Sequence, residues 1–352
     1  MGKCPPESVQ DGGGGGKLAT VIAGVGKYVP ETVVSSKLVA ERADLWGKLK
    51  LPSGALERLT GVKERRYALD GEASSDMAAR ASEVALQRAG VRPGEIDTLI
   101  FAAASHDITE PATANILQDK LGARSAHVMD VKNACNSFLN AMDLMDSLIR
   151  TGRCKTGLVA SGEVLSRCIN WEINSLKEFE LGIAALTLGD GGGAVVLKAA
   201  EDAGRGILNS EFMSDGSSWE LATIKAGGTK YMLDNAVAYF VSHSAELSKL
   251  ALRHVPPLIK AVLGKTGWQI GNLDLVIPHQ VTGRIIAKIA KVIKLPLDKV
   301  MITLDRYGNT AAASIPIALA EAVESGRIGK GSRVMLVGGA SGFSAGAITL
   351  VL

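Results

Sequence analysis

One unit occurs twice in this chain, and that recurrence limits the fold more than any other feature. Residues 99–104 form a wholly apolar run of strand length, 111–121 has helical spacing, 127–131 reads as a second strand, and 137–150 is a helix with apolar residues at helical spacing. The same order returns as a buried strand over 273–278, a helix over 283–293, a strand over 300–303 and a helix over 314–325. Strands alternating with helices predict α/β architecture with mostly parallel sheets covered on both faces. The recurrence predicts an internal duplication.

Residues 12–16 are all glycine, which makes an ordered element costly there and predicts a flexible tail over 1–17. A β-rich stretch, 19–26, follows. The small, polar, glycine-containing stretch 198–206 predicts the link between an N-terminal half (18–200) and a C-terminal half (201–352). Segment 212–240 has mixed signals, with Gly216, Gly227 and Gly228 among polar residues, and reads as an irregular insertion that can line a substrate entrance.

Composition narrows the function. The chain has 352 residues, 47% hydrophobic and 21% charged, as in a soluble globular protein. Its 39 basic and 36 acidic residues are spread along the sequence, so no basic domain points to nucleic acid. Cys4, Cys135, Cys154 and Cys168 form no C-x-x-C pair and no zinc-like spacing with histidine, which predicts no metal and a reduced, cytoplasmic protein. Residues 1–10 lack the apolar core of a secretory signal, and no apolar run reaches membrane-spanning length.

Cys135 lies between an expected strand and the start of a helix, where backbone N–H groups and the helix dipole favour a thiolate. Taken alone, an isolated cysteine is more often a small buried hydrophobe. Pro278-His279-Gln280 ends a buried strand before a helix, and Gly308-Asn309-Thr310 occupies the corresponding place one unit later. A strand-end histidine is commonly structural and Gly-Asn is commonly a turn. Duplicated units would nevertheless bring all three side chains to the carboxyl ends of the strands, where open α/β sheets hold ligands.

Asn133-Ala134-Cys135, His279-Gln280 with Arg284, and Gly308-Asn309-Thr310-Ala311-Ala312-Ala313-Ser314-Ile315-Pro316 together resemble the three signature segments of ketoacyl synthase III-like enzymes of the thiolase superfamily. Leu188-Gly189-Asp190-Gly191-Gly192-Gly193-Ala194 resembles that family's glycine-rich strand approach, and Gly338-Gly339-Ala340-Ser341-Gly342-Phe343 its final active-site turn. The resemblance runs from Leu18 to Leu352. It implies a five-layered αβαβα thiolase fold, a homodimer, and a two-stage acyltransferase reaction without a cofactor. An acyl group passes from an acyl carrier protein or coenzyme A thioester to Cys135, and a second thioester then attacks it in a Claisen condensation. His279 and Asn309 would donate hydrogen bonds to the second substrate's carbonyl, with His279 also helping to ionise the cysteine. Backbone amides of Cys135, Ser341 and Gly342 would form the oxyanion hole.

Glu110 resembles the family's loop residue that crosses into the partner's acyl pocket, where ordinary members carry an apolar side chain. A carboxylate there is similar to the subgroup of olefin-pathway condensing enzymes and α-pyrone synthases, in which such a glutamate acts as a base whose pKa burial raises. Alternatively, Glu110 is only an acid before Pro111 at a helix N-terminus. Ala55 and Leu59 stand where acetyl-CoA-using members carry a tryptophan and an arginine, which favours carrier-protein substrates. Arg284 and Lys288, with Lys291, can dock an acidic carrier, or the lysines can simply be a solvated face. His106, His127, His243 and His254 read as structural, Asp190 as a brace for a glycine turn, and Cys154 and Cys168 as packing residues. Four functions follow: condensation of two acyl or β-ketoacyl thioesters, in polyketide, α-pyrone or fatty-acid-derived biosynthesis; decarboxylative condensation with a malonyl thioester; acyl transfer to an alcohol or amine; and a silent partner subunit.

Overall fold

The computed structural model describes residues 18–352 apart from Ala203. The expected tail over 1–17 lies outside the described residues.

Two mixed sheets repeat one topology. The first runs Ala19–Tyr28, Gly191–Ala200, Thr156–Glu163, Thr98–Ala102, His127–Val131, with two antiparallel pairings followed by two parallel ones. The second runs Gly206–Ser214, Ser344–Val351, Arg333–Ala340, Leu275–Pro278, again antiparallel, antiparallel, parallel. The expectation of mostly parallel sheets is therefore corrected. Arg333–Ala340 and Ser344–Val351 are joined by the tight turn 341–343, which only an antiparallel pair permits, and Thr156–Glu163 and Gly191–Ala200 run antiparallel with the helix Leu176–Gly182 between them in the chain.

The expected strand over 300–303 is also absent. Val300 makes a single parallel bridge to Val276, the remnant of the fifth strand. One ladder bond survives, from Met301 N–H to the Val276 carbonyl (2.9 Å), and one side chain takes the place of the rest. The Gln280 amide donates to the Pro278 and Met301 carbonyls (2.7 and 3.1 Å) and accepts from Thr303 N–H and Leu304 N–H (3.0 and 3.1 Å). All of its hydrogen-bonding capacity is used, which is what a fully buried amide requires.

Between the sheets lie the helices Ser137–Arg150 and Ser314–Glu324. Their Phe138, Met142, Met145, Ile315 and Leu319 pack with Ile100 and Val159 of one sheet and Ile277 and Leu336 of the other. Each such side chain contributes roughly 1.5–3 kcal/mol by leaving water. Ser74–Ala89 and Thr113–Leu121 cover the outer face of the first sheet, and Ser244–Thr266 and Gly283–Val292 that of the second. The result is five layers, αβαβα. Glycines in the strand Gly191–Ala200 allow the helices to approach from both faces. A Cβ on Gly192 would lie 2.1 Å from the Met77 carbonyl oxygen of the outer helix, and one on Gly193 would lie 2.7 Å from Pro316 Cβ of the inner helix. Asp190, just before them, braces separate segments rather than the glycines: it accepts from Ala68 N–H, Ser166 N–H and Ser166 Oγ–H at 2.9, 2.9 and 2.6 Å.

Candidate active site

The two inner helices begin in matching ways. Ala134 (φ 47°) precedes Ser137 by the same spacing as Ala311 (φ 42°) precedes Ser314, and both take the left-handed conformation that non-glycine residues rarely adopt. The serines are equivalent but differently used. Ser137 Oγ accepts from Asn133 N–H (2.7 Å) and donates to the Ala134 carbonyl (2.7 Å), tying the cysteine turn to its helix. Ser314 Oγ lies 2.7 Å from His279 Nδ1. The duplication thus gives one half Cys135 and the other half His279 and Asn309.

A cavity of about 800 Å³ contains all three. Cys135 is partly exposed to it, whereas His279 and Asn309 are buried at its wall. Burial lowers the His279 pKa to about 4, so the imidazole is neutral at physiological pH and able to accept a proton. A hydroxyl partner on Nδ1, unlike a carboxylate, can donate or accept, which leaves both tautomers open: Nε2 as base, or Nε2–H as donor. Asn309 is oriented by its own turn. Its Oδ1 accepts from Ala311 N–H (3.0 Å), leaving Nδ2 to donate into the cavity. Its backbone is fixed by bonds from Asn309 N–H to the Thr187 carbonyl (2.9 Å) and from Gly189 N–H to the Asn309 carbonyl (3.0 Å).

The expected thiolate at Cys135 is not what the surroundings favour. Burial first, and the nearby Glu163 carboxylate second, push the thiol up to about 12. Cys135 precedes Asn136, the N-cap, and packs among apolar groups such as Leu188 and Ala311. The local helix terminus is therefore opposed by an apolar wall and a negative charge from another strand.

Ser341 lines the cavity beside Gly338–Ala340, and Gly342 follows it in the same turn. Glu110 is exposed and does not line its own chain's cavity. Burial of its carboxyl, which the acyl-pocket reading invoked, does not occur within one chain. Arg284 and Lys288 stand at the cavity mouth, Arg284 donating to the Arg58 carbonyl at 3.4 Å. Leu59 lines the mouth as well, while Ala55 is buried behind it. The insertion contributes Ala222, Thr223, Ile224, Ala226 and Phe240 to the lining, as its irregular composition suggested.

Two residues read as structural, His106 and Cys168, also line the cavity. His106 shares that end with Lys132, whose Nζ is 3.4 Å from His106 Nδ1. Burial, then Lys132, lowers the His106 pKa. Burial and nearby carboxylates raise the Cys168 thiol to about 11. The order His106-Asp107 just upstream of Glu110 was a usable signal for the first; nothing around Cys168 marked the second. Among the described residues no cluster of three or more His, Cys, Asp or Glu can hold a metal, and no helix is long and apolar enough to cross a membrane.

A thiolase fold with a cavity-facing cysteine, histidine and asparagine defines a class: acyl-transferring condensing enzymes. The comparisons place the chain within it. Residues 129–216 match the family 3-oxoacyl-[acyl-carrier-protein (ACP)] synthase III, and residues 263–352 match its C-terminal region. Beta-ketoacyl-[acyl-carrier-protein] synthase III of Xanthomonas oryzae pv. oryzae is 36% identical over 340 residues, covering 95% of this chain and 98% of that relative. The crystal structure of 3-oxoacyl-[acyl-carrier-protein] synthase III from Aquifex aeolicus superposes with a TM-score of 0.84 at 33% identity over 95% of this chain and 100% of the other. Cerulenin-bound OleA of Xanthomonas campestris superposes with a TM-score of 0.87 at 27% identity over 95% of this chain and 98% of the other. The chain belongs to the 3-oxoacyl-[acyl-carrier-protein] synthase III family and is a ketoacyl synthase III-like acyltransferase with OleA-like relatives.

Proposed function

We propose that the chain loads an acyl group on Cys135 and condenses it with a second acyl or β-ketoacyl thioester, in a homodimer where Glu110 of one subunit serves as base in its partner. The size and lining of the cavity are the observation that carries this reading. Its volume is in the upper part of the roughly 300–1,000 Å³ typical of ligand pockets. Besides Cys135 its lining includes Val255 and Ile259 of the helix Ser244–Thr266, Ile286 of the helix Gly283–Val292, and Leu295, aliphatic groups suited to an alkyl chain beyond the one on the cysteine. The exposure of Glu110 on its own chain is what a residue acting in a neighbouring subunit requires.

In this scheme neutral His279 takes the Cys135 proton as the thiol attacks the first thioester, and backbone N–H groups of Cys135 and the Ser341–Gly342 turn stabilise the oxyanion. The thiol of the first carrier leaves with the proton. Glu110 then removes a proton from the α-carbon of the second thioester, while His279 Nε2–H and Asn309 Nδ2 stabilise the enolate oxygen. Carbon attack on the acyl-enzyme breaks its C–S bond and expels Cys135 as a thiolate, and the proton that Glu110 took from the α-carbon is passed to the thiolate through solvent, restoring the thiol and the carboxylate. The halves 18–200 and 201–352 divide this labour, and Arg284 and Lys288 receive an acidic carrier. A second reading, decarboxylative condensation with a malonyl thioester, is favoured by the higher identity to the named synthase III relatives.

Incubation with a long-chain acyl thioester, with and without malonyl-carrier protein, followed by mass spectrometry, separates the two. Condensed product without malonyl donor is expected; product only with it overturns the Glu110 scheme. E110A is expected to load Cys135 normally and to form no carbon–carbon bond.

A further inference from the structure

Two carboxylates among the described residues, Asp190 and Glu163, have no exposed surface, and Glu163 is the one bonded to Ala312 N–H beside the Asn309 turn. Glu163 ends the strand Thr156–Glu163, has no exposed surface, and is held entirely by neutral donors. Oε1 accepts from Ala104 N–H at 2.7 Å and from Ala312 N–H at 3.2 Å. Oε2 accepts from Ser105 N–H at 3.0 Å and Ser105 Oγ–H at 2.6 Å. Burying a carboxylate this deeply is costly, and an amide or hydroxyl would anchor some of these groups more cheaply.

These partners come from different elements. Ala104 and Ser105 root the loop that carries Glu110. Ala312 follows Ala311, whose N–H fixes the Asn309 amide. One side chain therefore joins the first sheet, the Glu110 loop and the Asn309 turn, across the two halves of the duplication. We infer that Glu163 is a positioning residue for the condensation step, registering the Asn309 turn against the root of the Glu110 loop. This rests on the condensing function proposed above.

The electrostatics agree with the geometry. Burial raises Glu163 itself to about 7, and its charge raises both Cys135 and Cys168, with Asp190 acting on Cys168 as well. Glu163 thus opposes thiolate formation at Cys135. A carboxylate standing there despite that cost fits a role in the second stage of the reaction.

The test uses the full-length protein and compares wild type with Glu163→Gln and Glu163→Asp. Three quantities are measured: acyl loading of Cys135 by intact mass, kcat and KM for condensation, and the pH profile of Cys135 alkylation by iodoacetamide. For E163Q, loading should stay within about threefold of wild type while condensation kcat falls about 100-fold with little change in KM, the scale expected when a reacting group is misplaced by about 1 Å. Its alkylation profile should move to lower pH, because a negative neighbour has been removed. E163D keeps the charge but shortens the reach, so kcat should fall with the alkylation profile unmoved. The role is overturned if E163Q condenses within about twofold of wild type, or if loading, kcat, KM and melting temperature fall together. Should E163Q fail to fold, E163D in the same assays decides. Wild-type protein that takes no acyl group at Cys135 overturns the condensing function itself, whereas wild-type loading with an unaltered E163Q overturns only the role of Glu163.

Discussion

Cys135 should react as a thiol that is ionised on demand, not as a resting thiolate, and alkylation kinetics can measure the difference. Its pKa moves from the ordinary 9.0 to about 12. At pH 7.5 that lowers the thiolate fraction about 10³-fold. The thiolate of a weaker acid is more nucleophilic, with a Brønsted coefficient of about 0.4–0.5, which returns roughly 20-fold. Iodoacetamide should therefore modify Cys135 about 50-fold more slowly than a model thiol at that pH. The logarithm of the rate should rise with pH at a slope of about one up to pH 10, without a plateau. His279, held near 4, is neutral over this range and supplies no imidazolium to pair with a thiolate. H279A should thus change the alkylation rate by less than about threefold while abolishing acyl transfer, in which a base is needed. A plateau with a midpoint below about pH 8, lost in H279A, would reveal a preformed thiolate–imidazolium pair and rule out a resting thiol at Cys135.

Two further outcomes concern the frame around the site. In Gly338→Ala the new Cβ would lie 2.8 Å from Asn136 Oδ1 and 3.2 Å from Leu139 Cδ1. Overpacking should cost about 1–3 kcal/mol in urea denaturation; adding N136A should recover more than half, and no recovery would mean that the clash is not with Asn136. At Glu321 burial works to raise the carboxyl pKa, but hydrogen bonds and charges from Lys27 and Arg306 outweigh it and hold the group at about 2. A folded-state pKa below the unfolded value means stability that is present above about 4.5 and lost as the pH falls towards 2. Melting temperature should therefore fall more steeply with acid in wild type than in E321Q, and parallel curves would remove Glu321 from the account.

What could be read from the sequence was whatever depends on neighbours in the chain. The strand His127–Val131 and the helix Ser137–Arg150 came out with their observed bounds because apolar spacing and a polar helix start are local signals. The strand over 300–303 did not, because the Met301 carbonyl and Thr303 N–H bond to the Gln280 side chain rather than to a neighbouring strand, and nothing in residues 300–303 distinguishes a ladder from that substitute. The thiolate expectation failed for a similar reason. A helix start beside Cys135 is visible locally, whereas the opposing charge arrives from Glu163 on a strand two positions across the sheet from the one leading into the cysteine turn. Glu163 did leave a trace. The run Gly157-Leu158-Val159-Ala160-Ser161-Gly162 is buried along its length, and a glutamate closing such a strand has no water to face, so donors must converge on it. A charged residue at the end of a wholly buried strand therefore points to N–H groups that arrive from elsewhere in the fold. Here they belong to the turn that orients Asn309 and the loop that carries Glu110, the two elements that the proposed condensation would hold in register.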